Sequence, residues 1–338
     1  MDNSIFDIQK RILPDLIPVM KRRYIILQSV RVMQPVGRRV LADNLGLTER
    51  VLRGEVDLLK NQNLIHVSSA GMTLTEDGLK IVDGLEAFMR EMTGINVLEE
   101  RLKKALGIMQ VIVVSGDSDK SPWVKSEMGR ACAKCMKNCL QGENIIAVNG
   151  GTTMAAVADM LTPDIGRDLL FVPARGGIGE DVHNQANTIC AKMAKNTRSQ
   201  YRVLHFPDEV SDEMYKTVMK EPAMIEMMEL IRSASVVLHG IGNAITMALR
   251  RRTPQYIIEK LKEKKAVSEA FGYYFNEDGE VVHKVNTIGM KLEDLKNTRY
   301  VIAVAGGSSK AKAIRSYMKQ APQNTILITD EGAAELLL

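Results

Sequence analysis

The sequence predicts an α/β chain in two parts: a small helical N-terminal domain that closes with a short β-hairpin, and a larger, doubly wound domain. Three observations support this prediction. The 338 residues are enough to bury two separate cores. Helical periodicity and helix-capping residues fill the first ninety residues, and beyond about residue 108 short β-branched runs alternate with helical stretches. Such alternation indicates a mostly parallel, Rossmann-like sheet with helices on both faces.

Composition and the first residues exclude several classes of protein. The hydrophobic fraction of 45% and the charged fraction of 25% are ordinary for a globular protein. No run of about 18 apolar residues is present, so we expect no membrane span. The N-terminal stretch MDNSIFDIQKRILPDLIPVM lacks the basic region of a secretory signal. We therefore expect a cytoplasmic protein.

The basic residues are concentrated near the N-terminus although the formal net charge is only +4. Between residues 21 and 40 there is no acidic side chain, whereas six are basic: Lys21, Arg22, Arg23, Arg31, Arg38 and Arg39. Such a cluster indicates a surface for a polyanion. The alternative is a basic face that only meets solvent.

Residues 37–65, GRRVLADNLGLTERVLRGEVDLLKNQNLI, have the spacing of a helix-turn-helix. Gly46 closes the turn, Leu47 packs between the helices, and Thr48 caps the second helix. The apolar positions fall on the inner faces of the two helices: Leu41, Leu45, Val51, Leu52, Val56 and Leu59. Two β-prone runs around the turn at 68–71 then predict the wing of a winged helix-turn-helix.

The winged helix predicts double-stranded operator DNA as a partner, read by the second helix in the major groove. The residues predicted to contact DNA are Arg38, Arg39, Thr48, Glu49, Arg50 and Arg53. Gly54 lies inside the recognition helix, where it either permits a close approach to DNA or is merely tolerated. A three-helix bundle that binds another protein is the alternative for this region.

We predict domain boundaries at 1–90 for the winged helix, 91–107 for a linker helix and 108–338 for an effector-binding domain. The linker helix either pairs with a second copy of the chain or packs on its own domain. A helix-turn-helix protein normally binds DNA as a dimer, so we expect a homo-oligomer, with dimer and tetramer left open.

Seven apolar runs predict the strands of the larger domain: MQVIVVSG, NIIAVNG, DLLFVPARG, SQYRVLHFP, SASVVLHGIG, TRYVIAVAGG and NTILITD. Ligands of such folds bind beyond the carboxyl ends of the strands. Two of the following loops match each other, at 145–157 and at 301–314, and each places Gly-Gly and two hydroxyl residues before a helix. This pattern favours an anion, and Lys310 adds a positive charge. The alternative is a pair of simple turns.

Further cations follow other strands of the predicted sheet. Arg175 lies in PARGG, and Arg250, Arg251 and Arg252 lie where a helix ends. The arginine triplet either binds an anion or complements the carboxyl end of that helix. More than one cationic cluster would suit a bisphosphate. Neither GxxxxGK[ST] nor a complete dinucleotide motif is present, so we expect no nucleotide cofactor.

The cysteines predict packing rather than metal binding. Cys132, Cys135 and Cys139 fall within one helical stretch, and Cys190 and the histidines are scattered. A structural zinc site usually draws on a second ligand pair. We therefore expect no metal site.

The order of these parts resembles the SorC family of sugar-responsive bacterial transcription regulators. The resemblance is carried by the winged-helix pattern and by the motifs NGGTT, PARGG and AGGSSKAKAIR, and it extends over essentially the whole chain. It implies a repressor of glycolytic genes and an effector domain similar to sugar-phosphate isomerases and deaminases. It also implies a phosphosugar effector, fructose 1,6-bisphosphate, in place of a cofactor.

The resemblance also implies the effector-binding residues. One phosphate would lie at the first loop, with Lys310 beside it: Asn149, Gly150, Gly151 and Thr152. The second phosphate and the sugar would be held by Arg175, Gln185, Arg250, Arg251 and Glu269. Gln185 and Glu269 rest on the resemblance alone.

A phosphosugar isomerase or deaminase is the rival function. Such an enzyme needs a base within hydrogen-bond reach of its substrate, and Asp117, Glu180, Asp181 and Glu269 are the candidates. None of them has a recognisable catalytic partner in the sequence, and the helix-turn-helix has no role in that account. We therefore predict no catalytic residue. The sign of the effector's influence on DNA binding stays open at the level of the residues.

Overall fold

The computed structural model describes residue 12 and residues 14–177 and 181–338. The chain forms two compact units. The N-terminal unit reaches to Leu98 and includes Lys120–Trp123, and the C-terminal unit comprises Glu99–Asp119 and Val124–Leu338. The chain therefore passes between the units more than once.

The N-terminal unit is a winged helix. Its elements are α1 (Leu16–Met33), α2 (Arg38–Leu45), α3 (Glu49–Asn61), β1 (Ile65–Ser68), β2 (Gly71–Leu74) and α4 (Glu76–Met92). The strands pair antiparallel, with Ser68 opposite Gly71, which confirms the predicted wing. Ile26, Leu41, Leu52 and Val82 are fully buried in the core of this unit.

The turn between α2 and α3 forms as its residues predict. Gly46 adopts the left-handed conformation at φ 62° and donates its N–H to the carbonyl of Ala42. Thr48 accepts a hydrogen bond from the backbone N–H of Val51 at 3.3 Å, which caps α3. Val51 was predicted to belong to the apolar stripe, and this was wrong: it is 39% exposed, because it lies one position, or 100°, around the helix from the buried Leu52.

Several side chains of the basic cluster at residues 21–40 form ion pairs within this unit. Arg22 and Arg23 both pair with Glu55, at 3.3 and 2.8 Å. Arg31 pairs with Asp83 at 3.1 Å. Arg38 and Arg39 are exposed at the start of α2. The surface left for a polyanion is therefore smaller than the sequence predicts.

Helix α5 (Ile95–Leu106) lies inside the predicted linker, and the boundary between the units falls within it. Gly94 separates it from α4 at φ 73°. Pairing with a second copy stays one of the two alternatives that the sequence leaves open for this helix.

The C-terminal unit is built on a parallel sheet in which all seven predicted strands are found. These are β3 (Gln110–Val114), β4 (Asn144–Val148), β5 (Leu169–Pro173), β6 (Gln200–Tyr201), β7 (Val236–His239), β12 (Tyr300–Val304) and β13 (Thr325–Asp330). Their order across the sheet is β3-β13-β12-β7-β4-β5-β6, and every pairing is parallel. From β4 the chain winds outward through β5 and β6, and from β7 it winds the other way. The switch point therefore lies between β4 and β7.

The remaining α-helices of this unit are α6 (Trp123–Cys139), α7 (Thr152–Met160), α8 (Ala186–Thr197), α9 (Asp212–Val218), α10 (Pro222–Arg232), α11 (Ala244–Arg250), α12 (Gln255–Glu263), α13 (Ala311–Met318) and α14 (Glu331–Leu337). Cys132, Cys135, Cys139 and Cys190 are free thiols buried in one apolar cluster. Among the described residues no group of three or more His, Cys, Asp or Glu side chains is placed to hold a metal ion. No described helix is long and apolar enough to cross a membrane.

A second, antiparallel sheet was not predicted from the sequence. It comprises β8 (Gly242–Asn243), β9 (Ala266–Ala270), β10 (Tyr273–Asn276) and β11 (Val281–Lys284), in the order β11-β10-β9-β8. The turn between β9 and β10 holds Phe271 and Gly272 at positive φ, 53° and 80°. This sheet matters because β9 carries a residue of the site described next.

Candidate functional site

A cavity of about 370 Å³ lies at the switch point of the parallel sheet. Its volume is within the range of small-molecule sites. The loops after β4 and β7 border it, at Asn149 and Gly240. All ten residues predicted to bind an effector line this cavity: Asn149, Gly150, Gly151, Thr152, Arg175, Gln185, Arg250, Arg251, Glu269 and Lys310. The structure thus brings them together, and their contact with a ligand stays a prediction.

The amino end of α7 opens into the cavity. Gly151 precedes the helix at φ 121°, and no side chain within the described chain caps it. The first helical hydrogen bond runs from the N–H of Ala155 to the carbonyl of Gly151, at 3.0 Å. The backbone N–H groups of residues 152–154 therefore precede that bond, and all three residues line the cavity. An uncapped helix amino end of this kind favours an anion.

Gly150 is required by a close approach of two backbones. A Cβ at this position would lie 2.7 Å from the carbonyl oxygen of Asn184. That carbonyl also accepts the N–H of Gly151 at 2.7 Å. The loop before α7 is thus held against the segment that leads into α8.

The matching loop at 306–310 is filled by the protein's own carboxylates, so the two loops are alike in sequence but not equivalent in the structure. The N–H of Gly307 donates to the fully buried Asp330, at 3.0 and 2.8 Å to its two oxygens. The N–H groups of Ser308 and Ser309 donate to Asp117 and Asp119, at 3.3 and 2.7 Å. Of the residues 306–310 that form this loop, only Lys310 lines the cavity.

Two arginines and two carboxylates form a buried ring of charges beside the cavity. Arg175 approaches Asp208 at 2.6 Å and Glu269 at 3.4 Å. Arg251 approaches the same two carboxylates at 2.9 Å each. All four side chains are at most 7% exposed. The ring is therefore neutral as a whole, and sequence reasoning missed Asp208, although it directly follows the predicted strand run SQYRVLHFP.

Neighbouring groups fix the orientation of this ring. Glu269 is the last residue but one of β9 and accepts the N–H of Gly272 at 2.7 Å. Arg251 donates to the hydroxyl of Tyr274 at 3.0 Å. Burial opposes the charge of Arg251, but Glu269 and Asp208 outweigh it and raise the pKa of Arg251. The antiparallel sheet thus supplies both the carboxylate and its support.

Lys310 and Arg250 are the cavity-lining cations outside this ring. Arg250 is exposed at the end of α11. Burial lowers the pKa of Lys310, and the nearby charges of Lys125 and Arg250 lower it further, against the opposing effect of Asp119. An anion in the cavity would remove part of this unfavourable electrostatic energy.

The candidate bases of the rival enzyme are occupied as structural acceptors. Asp117 accepts the N–H groups of Asp119 and Ser308, and Asp181 accepts from His183 and Asn184. Glu269 lies in the ring of charges, and Glu180 lies outside the described residues.

The predicted DNA-contacting residues share one property, which is exposure to solvent at α2 and at the first turns of α3: Arg38, Arg39, Thr48, Glu49, Arg50 and Arg53. Gly54 is exposed on the same helix, with nothing within 4 Å of the position of a Cβ. It follows Arg50 by four residues and therefore lies on the same face of α3.

Comparison with known proteins matches both units. A family model for a sugar-binding domain matches residues 90–338, and the model described as "CggR N-terminal DNA binding domain" matches residues 19–89. A central glycolytic genes regulator from Priestia megaterium is 59% identical over 99% of this chain and 98% of its own length. The protein of the same name from Bacillus subtilis is 55% identical over 99% of both chains.

A solved structure supports the same relationship. A SorC family transcriptional regulator from Enterococcus faecalis is 47% identical and superposes with a TM-score of 0.67, covering 71% of this chain and 98% of that one. A winged helix joined to a sugar-binding domain defines a ligand-responsive transcription regulator rather than an enzyme. The chain belongs to the SorC family of such regulators, and two relatives that match it along 99% of its length are central glycolytic genes regulators.

Proposed function

We propose that this protein is a repressor of glycolytic genes that binds operator DNA as a homo-oligomer, either a dimer or a tetramer, and responds to fructose 1,6-bisphosphate. The observation that carries the proposal is the cavity at the switch point, which collects a helix amino end and four cations. Two relatives that match along 99% of the chain are named central glycolytic genes regulators, and this supports glycolytic genes as the target.

The cavity suits a ligand with two anionic ends. One phosphate binds the N–H groups at the start of α7, with Lys310 beside it. The second phosphate binds at Arg175, Arg250 and Arg251, where Arg250 supplies charge that the ring of charges does not cancel. The acceptor oxygens of Gln185 and Glu269 then hold sugar hydroxyls between the two phosphates.

The test is a thermal melt of the protein with a panel of sugar monophosphates and bisphosphates. A ligand at a hundred times its dissociation constant stabilises its unit by about 2.7 kcal/mol. We expect the largest shift with fructose 1,6-bisphosphate and its loss in Thr152→Ala and Arg175→Ala. Arg167→Ala is the matched control, because Arg167 is exposed and does not line the cavity. The absence of a shift with every phosphosugar would refute the effector site.

DNA binding is proposed to use the exposed residues of α2 and α3. Arg38, Arg39 and Thr48 lie near the ends of the two helices that meet at Gly46, and Arg50 and Arg53 project from the first turns of α3. Helix amino ends and arginines contact phosphates, whereas side chains of a recognition helix reach base edges. Titration of the full chain with operator DNA tests this part of the proposal separately from ligand binding. We expect operator binding to be lost in Arg50→Ala.

A further inference from the structure

The segment Gly116–Trp123, which we call the connecting segment, runs from one unit of the protein into the other. Its first part, to Asp119, belongs to the C-terminal unit, and Lys120–Trp123 belongs to the N-terminal unit. From Val124 the chain is again part of the C-terminal unit. The two ends of this segment make different contacts, and each contact lies within one unit.

The first part of the connecting segment holds the loop that carries Lys310. Asp119 accepts the N–H of Ser309 at 2.7 Å and the hydroxyl of Ser308 at 3.4 Å. The fit is tight, since a Cβ at Gly307 would lie 2.5 Å from an oxygen of Asp119. Asp117 accepts the N–H of Ser308 at 3.3 Å. The segment is thus bound to the residues directly before a cavity-lining lysine.

The second part of the connecting segment holds the helix-turn-helix. The hydroxyl of Ser121 donates to the carbonyl oxygen of Asn44 at 2.7 Å. Asn44 is in the last turn of α2, whose final carbonyl groups have no helical partner. The N–H of Gly46 donates to the carbonyls of Ala42 and Asp43, and the N–H of Leu47 donates to that of Ala42. Ser121 therefore caps the end of α2 immediately before the turn that sets the angle of α3.

Asp119 and Ser121 are separated by a single residue. Two residues span at most about 7 Å when extended, so a large displacement of Asp119 also moves Ser121. A phosphate beside Lys310 would place a further negative charge near Asp119, whose carboxylate already favours the charged form of this lysine. Like charges repel, and because Asp119 is exposed to solvent, part of this repulsion is screened.

We propose that the connecting segment couples the effector cavity to the helix-turn-helix: a phosphate at Lys310 displaces Asp119, and Ser121 transmits the displacement to the end of α2. Ser121 is then a positioning residue for regulation that contacts neither ligand nor DNA. This inference rests on the proposed function, since it requires an anion beside Lys310. The coupling is a difference in binding affinity between two states of the protein. The phosphosugar must therefore change the affinity for operator DNA by the same factor as operator DNA changes the affinity for the phosphosugar.

The experiment uses the full chain and the ratio of operator dissociation constants with and without fructose 1,6-bisphosphate. Ser121→Ala should reduce the wild-type ratio at least threefold towards unity, while the affinity for the phosphosugar stays within twofold. Ser121→Thr, which keeps the hydroxyl, should restore the ratio. Ser118→Ala is the matched control, because the backbone N–H of Ser118 makes its described hydrogen bond, to Asp330 at 2.8 Å.

The outcomes separate this inference from the proposed function. A Ser121→Ala protein that binds the phosphosugar and keeps the wild-type ratio would overturn the coupling and leave the effector site intact. A Ser121→Thr protein that behaves like Ser121→Ala would also overturn it, since the hydroxyl would then not be the transmitting group. If the wild-type protein binds no phosphosugar, the effector site and the coupling both fail.

Discussion

Asp208 is the residue whose importance only the structure reveals. It stands between Arg175 and Arg251 and is 3% exposed. The sequence predicts the two arginines because they follow strand and helix ends. It cannot predict their counter-ion, since Asp208 approaches them only through the folding of a long connection between β6 and α9. The same limit applies to Tyr274, which supports Arg251 from the second sheet.

We predict that Asp208→Asn destabilises the protein by about 3 kcal/mol, because removing one partner leaves two buried guanidinium groups to share one carboxylate. Chemical denaturation in the absence of ligand measures this loss. The matched control is Asp83→Asn, whose carboxylate pairs with Arg31 but is 69% exposed and should cost less than about 1 kcal/mol. Equal losses in the two variants would contradict a structural role for the ring of charges.

His239 leads to a second prediction, which concerns how the free energy of unfolding depends on pH. Its Nδ1 lies 3.0 Å from the carbonyl oxygen of Gly240, and its Nε2 lies 3.2 Å from the hydroxyl of Tyr317. The carbonyl can only accept, so Nδ1 carries the proton and Nε2 accepts from Tyr317. Burial lowers the pKa of His239 from its ordinary value of 6.5 to about 4, against opposing effects of Gly240 and Glu269.

Because the pKa of His239 is lower in the folded state, the unfolded chain binds more protons between pH 6.5 and pH 4. His239 therefore favours folding fully above pH 6.5, and this contribution of about 3 kcal/mol is lost progressively as the pH falls to 4. His239→Gln should flatten the dependence of unfolding free energy on pH in this window. The control is His66→Gln, at an exposed position, which should keep the wild-type dependence of unfolding free energy on pH. If His239→Gln also keeps that dependence, His239 is not the group responsible for it.

At the scale of elements, α3 combines a good cap with a glycine in its interior. A Cβ at Gly54 meets nothing within 4 Å, so Gly54→Ala should stabilise the N-terminal unit by up to about 1 kcal/mol. If the backbone of α3 approaches DNA closely at this position, the same change should weaken operator binding. Thermal melts and operator titrations of one variant measure both effects, and a loss of stability would contradict the first.

The elements also show where sequence patterns suffice. The seven parallel strands and the helix-turn-helix follow from apolar periodicity, capping residues and one left-handed glycine at Gly46, which are local signals. The two Gly-Gly loops look alike in sequence but differ in the structure, because Asp117, Asp119 and Asp330 reach the second loop from distant parts of the chain. The strands β8 to β11 are short, and β9 and β10 are joined by a positive-φ turn at Phe271 and Gly272 that the sequence analysis did not identify.

At the scale of the whole molecule, two units with separate cores should unfold separately. The apolar clusters of the N-terminal unit and of the parallel sheet share no residue. We predict two calorimetric transitions, of which fructose 1,6-bisphosphate raises the one of the C-terminal unit and operator DNA raises the other. A single transition shifted by either ligand would show that the units unfold together.

The path of the chain between the units has a consequence for how such regulators recombine. The N-terminal unit takes up Lys120–Trp123 from within the other unit's stretch of sequence. If a relative's N-terminal unit replaced this one through a single junction near residue 98, it would bring its own helix-turn-helix. The end of its α2 would then be capped by the Ser121 of the original chain. Exchange of heads between relatives therefore has to be a two-site event, or the donated head must accept a foreign cap at the end of α2.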